Sequence, residues 1–97
     1  LKVYPNDPLA DSARYELALL LVRGGQNARA ERLLDQIAGA SGSSLKEPAH
    51  FLRCRIKMDL GKRQAARQCY HSFLKRHPSS PHVDRTRQTL RDLGDKQ

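Results

Sequence analysis

The sequence predicts an all-α protein, a stack of antiparallel helix pairs, and three observations carry that expectation. Gly25-Gln26-Asn27-Ala28-Arg29-Ala30-Glu31-Arg32-Leu33-Leu34 returns 36 residues on as Gly61-Lys62-Arg63-Gln64-Ala65-Ala66-Arg67-Gln68-Cys69-Tyr70. Tyr4-Pro5-Asn6-Asp7-Pro8 returns 73 residues on as His77-Pro78-Ser79-Ser80-Pro81. A unit of about 36 residues, used twice and begun a third time, is the period of a helical solenoid, whose units stack because none can bury its apolar face alone. Finally, apolar residues recur at helical spacing, and nothing alternates with period two long enough to argue a strand.

Five helices follow in order. Pro8 suits a first turn and Asp11 or Ser12 can cap a helix carrying Ala13, Leu17, Leu20 and Leu21, which Gly24-Gly25 ends. Asn27 is a natural cap for the second, with Ala30, Leu33, Leu34 and Ile37 as its apolar face. The small residues from Gly39 to Ser44 read as a loop. A third helix is expected to begin near Pro48, with Leu45, Ala49, Leu52, Ile56 and Leu60 as its apolar series and Gly61 as its stop. The fourth runs from about Lys62 to Lys75 and turns Ala66, Cys69 or Tyr70, Phe73 and Leu74 inward. Pro78 and Pro81 break it. The last uses Val83, Thr86, Leu90 and Leu93 and closes at Gly94. The organisation is one domain over residues 1–97, with repeat one at about 8–38, a loop at 39–47, repeat two at about 48–77 and a final helix at about 81–93.

Ninety-seven residues with 38% apolar content make a thin core with little room for a buried catalytic cavity. The longest apolar run, Leu17 to Val22, is far short of the roughly 20 residues a membrane span needs, so no insertion is expected. The chain starts at Leu1 with no signal-peptide pattern and reads as a piece or a processed product. The net charge of +8 lies wholly in the second half: residues 1–48 hold six basic and six acidic side chains, and residues 49–97 hold twelve basic against four acidic. Solvated Arg-rich helix faces explain this; nucleic acid or an acidic partner is the alternative.

Helix, Gly turn, helix and Pro at this period resemble the tetratricopeptide repeat family over nearly the whole chain. Leu17, Ala18, Leu21, Gly25, Ala30 and Leu34 stand where the family places its packing residues, and Gly61, Ala66, Tyr70 and Pro78 match in the second unit. Ala30 and Ala66 must stay small so that paired helices can approach. The same alignment puts Arg53 and Lys57 at apolar places. A shift by one residue restores Leu52 and Ile56 and avoids burying two cations, which would cost several kcal/mol. The Pro-rich joints are similar to those in repeat domains of bacterial envelope proteins, among them the TolA-binding periplasmic protein, and also of other bacterial regulators.

The resemblance implies a short right-handed superhelix of about two and a half repeats that binds proteins or peptides and catalyses nothing, within a larger bacterial envelope or signalling protein. Its concave face comes from the first helix of each unit. Here that face would carry Ser12, Tyr15, Leu19 and Val22, then Phe51, Arg55 and Met58, then Arg85 and Gln88. Aromatic anchors flanked by Arg suit a peptide bearing a carboxylate; the alternative is that Tyr15, Leu19 and Phe51 simply pack between helices. In the shifted register Phe51 and Arg55 turn away from that face by about 100°. The location implied is the periplasm or envelope, with the cytoplasm as the alternative.

Cys54 and Cys69 fall where the helices of the second repeat cross. They can form a disulfide suited to an oxidising compartment, or fill small buried positions. His50, His71, His77 and His82 match no zinc spacing and are expected to pack at the joints or lie on the surface. No phosphate loop, nucleophile elbow or metalloprotease motif occurs, so no enzyme, cofactor or metal is expected. Two other functions are open: nucleic-acid binding through the basic half, and self-association, since Val83, Leu90 and Leu93 form an apolar stripe that needs cover.

Overall fold

A computed structural model of the chain describes residues 8–39 and 45–94. The Tyr4–Asp7 part of the first joint and most of the loop after Gly39 lie outside the described residues. The described residues are all-α: α1 (Pro8–Arg23), α2 (Asn27–Gly39), α3 (Lys46–Asp59), α4 (Arg63–Arg76) and α5 (Val83–Asp92). They contain no strand. Neighbour contacts divide the chain into two compact units, Leu1–Ala49 and His50–Gln97, with the boundary inside α3.

The 36-residue repeat appears in the structure as one turn built twice. In the first unit the Gly25 amide donates to the Val22 carbonyl at 3.1 Å, and the Gln26 amide to the Leu21 carbonyl at 2.8 Å. In the second, the Gly61 amide donates to Met58 at 3.0 Å and the Lys62 amide to Lys57 at 2.9 Å. Both pairs satisfy the last carbonyls of a helix in the Schellman pattern, which needs a left-handed residue at its corner. Gly25 and Gly61 supply it with φ of +78° and +75°. A Cβ at Gly61 would meet nothing within 4 Å, so only backbone conformation opposes a side chain there. Gly61→Ala is therefore expected to destabilise the chain by about 1–2 kcal/mol, read as a lower urea midpoint with unchanged slope.

In the first unit α2 folds back on α1, with Ala18, Ala30, Leu34 and Ile37 fully buried. Several local expectations change here. Because α1 already begins at Pro8, Asp11 and Ser12 lie within the helix and are not caps; the Asp11 carboxylate instead accepts a 3.0 Å bond from Arg14. Asn27 opens α2 without capping it, its buried Oδ1 having no hydrogen-bond partner; the first helical bond runs from the Ala30 amide to the Gln26 carbonyl. Leu17, expected as a packing residue, is 47% exposed and Leu20 is 60% exposed, because the close approach of α1 and α2 runs through Ala18.

The second unit is built round a shared core. Phe51 and Cys54 of α3, Ala66, Tyr70 and Phe73 of α4, and Leu90 and Leu93 near the end of the chain form one buried cluster. Leu52 and Ile56 are buried, whereas Arg53 and Lys57 keep partial access to solvent, in line with the shifted reading of α3. That helix starts at Lys46, slightly before Pro48; proline is tolerated in a first turn, where the backbone amides lack helical partners. The Val83–Leu90–Leu93 stripe does not await outside cover, because Leu90 and Leu93 sit in this cluster and only Val83 is half-exposed. Arg67 ties α4 to the end of α5 by donating a 2.9 Å hydrogen bond to the Leu93 carbonyl.

The joint between α4 and α5 is made of rings. His77 packs on Phe73 at 5.2 Å, and His82 stacks on Phe51 at 4.2 Å with planes 16° apart. His50 meets Phe73 edge-on at 5.4 Å and His77 at 5.6 Å.

Candidate functional site

Phe51, Arg55 and Met58 repeat at helical spacing along one side of α3, so they project together. Across from them α5 presents Arg85 and Thr89, one turn apart. With Asp59 and Tyr70 these residues line a groove of about 290 Å³ wholly within the second unit. Its base is aromatic: Phe51 and Tyr70 are buried, and their rings meet edge-on at 6.2 Å. Phe51 is fixed from behind by Phe73 at 5.5 Å and from the side by His82. Such packing limits rotamer freedom, so the aromatic base is preorganised.

The rim is charged. Arg55 and Arg85 are exposed, as is Asp59, and all three act on the Tyr70 phenol. Burial raises the Tyr70 pKa above its ordinary value; Arg55 opposes the shift, Asp59 adds to it and Arg85 opposes it. The phenol therefore stays protonated near neutrality and keeps its O–H as a donor at the edge of an apolar base. Two cations face one carboxylate, so the rim favours an anionic ligand group. On α5 the Thr89 hydroxyl donates to the Arg85 carbonyl at 3.0 Å, and Gln88 turns aside to bond Asp92 at 3.0 Å.

Four of the nine surface residues expected from sequence thus share one groove: Phe51, Arg55, Met58 and Arg85. Turning α3 to bury Leu52 and Ile56 does not carry Phe51 and Arg55 away from this groove, because α5 meets α3 on that side. Ser12, Tyr15, Leu19 and Val22 belong to α1 in the first unit; Ser12 is exposed and the other three are half-buried. A separate hollow in that unit is lined by Leu17, Leu21, Arg29, Arg32, Leu33 and Gln36, on the opposite side of α1 from Tyr15 and Leu19 by helical geometry. Sequence reasoning missed Tyr70, Asp59 and Thr89. Tyr70 was legible as a core residue, and its second role needs the position of α5.

Cys54 and Cys69 are joined as a disulfide between α3 and α4, with Cα atoms 5.4 Å apart. His50 lies beside it. Burial, reinforced by the positive charge of Arg53, lowers the His50 pKa from 6.5 to about 4; His77 and Arg76 push the same way, against a hydrogen bond to the Cys69 backbone. The unfolded chain thus takes up a proton on His50 as pH falls through about 6.5, whereas the folded chain accepts it only near 4. Stability is fully present above the higher value and is lost across that window as pH falls. Urea midpoints at pH about 7.5 and about 4.5 should differ less in His50→Gln than in the parent chain.

Residues 53–80, from the middle of α3 through the Gly61 turn, α4 and the second joint, match the tetratricopeptide repeat family. No curated protein and no solved structure matches the chain. The matched stretch is a tetratricopeptide-like helix pair, a motif that generally mediates protein–protein interaction. No helix among the described residues is long and apolar enough to cross a membrane.

Proposed function

We propose that this chain is a non-catalytic protein-interaction module whose working site is the groove of the second unit, and that its ligand is a peptide carrying a large apolar side chain beside a carboxylate. One observation carries this reading: a buried aromatic base, Phe51 and Tyr70, lies between two exposed guanidinia, Arg55 and Arg85. An arginine pairs with a carboxylate through two parallel hydrogen bonds, and apolar anchors beside it supply desolvated area. A volume of about 290 Å³ is at the lower limit of ligand pockets and suits one anchor residue with its neighbour.

The parent protein is read as a larger bacterial envelope or signalling protein. Two features support an oxidising compartment such as the periplasm: the His77-Pro78-Ser79-Ser80-Pro81 joint resembles those of envelope repeat domains, and a disulfide spans the core. The basic second half assists encounter with an acidic partner surface.

Selection from a displayed random-peptide library at moderate salt tests the site. The expected result is enrichment of peptides with Asp, Glu or a free C-terminus next to a large apolar residue. Arg55→Ala and Arg85→Ala should each weaken the best peptide about tenfold or more. Peptides without an acidic group, or affinity indifferent to both substitutions, would overturn the reading. Oligonucleotide binding stripped by modest salt, with no peptide enriched, would make the basic surface the working one, and concentration-dependent dimerisation that occupies the groove would make a second copy the partner.

A further inference from the structure

The disulfide has a third metal-binding group beside it. One ring nitrogen of His50 and the sulfurs of Cys54 and Cys69 lie within 4.8 Å of one another, and these ligand atoms are buried. His50 and Cys54 are one turn apart on α3 and share a face, while Cys69 comes from α4. The imidazole is held in place by its edge contact with Phe73 and by a hydrogen bond to the Cys69 backbone. An outer hydrogen bond of this kind fixes the ring orientation of ligating histidines.

We propose that reduction of the Cys54–Cys69 bond opens a three-coordinate site, made by His50, Cys54 and Cys69, that binds a monovalent copper ion. A dithiol reductant delivers two electrons and two protons to the bond, giving two thiols and the reductant's own disulfide. Each thiol then releases its proton as its sulfur bonds copper. The donor set decides the metal class, because thiolates with one imidazole select soft ions. Coordination number decides within that class: zinc held by two cysteines and one histidine still needs a water as its fourth ligand, whereas a monovalent copper ion is satisfied by the three donors of this cluster. Charge agrees. Two thiolates, a neutral imidazole and a monovalent ion carry one net negative charge, and the surroundings that act on His50 include the guanidinium groups of Arg53 and Arg76. Metal–sulfur bonds of about 2.3 Å place the sulfurs about 4 Å apart. Rotation of a cysteine side chain supplies that separation across a Cα distance of 5.4 Å, with both helices in place.

The test uses the full chain, reduced with a phosphine under argon and titrated with monovalent copper against a chromogenic chelator. One ion per chain is expected, with ultraviolet sulfur-to-copper charge-transfer absorption and an X-ray absorption shell of two sulfurs and one nitrogen. His50→Ala should weaken binding at least tenfold, whereas His71→Ala, an exposed position on α4, should not change it. Circular dichroism checks that each variant is folded. Equal binding by oxidised and reduced chains, a sulfur-only shell, or unchanged affinity in folded His50→Ala would overturn the proposal. The first two readouts need no variant.

Discussion

Phe73→Ala is expected to remove about 3–5 kcal/mol of stability and to unfold most of the second unit. The ring is fully buried and sits among Phe51, His50 and His77, with centroids 5.5, 5.4 and 5.2 Å away. Truncation loses the transfer free energy of the ring and leaves a cavity that three helices and a joint cannot close without moving. Small domains bury proportionally less surface and have few kcal/mol to lose. Urea denaturation followed by helical circular dichroism should show the midpoint falling sharply, with part of the helical signal already missing in buffer. Phe73→Leu, which keeps most of the volume, should lose far less. A loss below about 1 kcal/mol for the alanine variant would mean that this cluster does not hold the unit together.

Removing the cross-link should cost about 3 kcal/mol. Cys54 and Cys69 close a loop of 15 residues, and the link restricts the unfolded chain far more than the folded one. Midpoints of oxidised and reduced protein in metal-free buffer measure this, and the paired Cys54→Ala, Cys69→Ala variant should resemble the reduced chain. Cys54 belongs to the same cluster as Phe73. The two perturbations share neighbours, so their effects should not add.

The repeat was readable because it is local chemistry. A left-handed corner needs glycine whatever surrounds it, so Gly25 and Gly61 mark the same turn in sequence and in structure. The packing of α3 was readable from the high cost of burying Arg53 and Lys57. Helix starts were less so: Asp11, Ser12 and Asn27 have capping side chains, but proline at position 8 and the carbonyl of Gln26 begin the helices elsewhere.

The groove was half legible for a related reason. Spacing along α3 placed Phe51, Arg55 and Met58 on one side, because helical period is a property of the chain alone. Which residues face them depends on how α5 lies, and periodicity does not contain that angle. Thus Tyr70 read as core and Asp59 was not singled out, and the α5 stripe was expected to need an outside partner when Leu90 and Leu93 pack inward. The grouping of His50 with both cysteines is likewise tertiary: the sulfurs are 15 positions apart on different helices, and only the packing of α3 on α4 brings them to the imidazole.

An amide chemical-shift titration of the chain with the tightest peptide from the library locates the ligand on the surface. Saturable shifts are expected on Phe51, Arg55, Met58, Tyr70, Arg85 and Thr89, and they should be lost in Arg55→Ala. Shifts spread over the basic surface and erased by salt, or confined to Leu17, Leu21 and Leu33 of the first unit, would contradict binding in the groove.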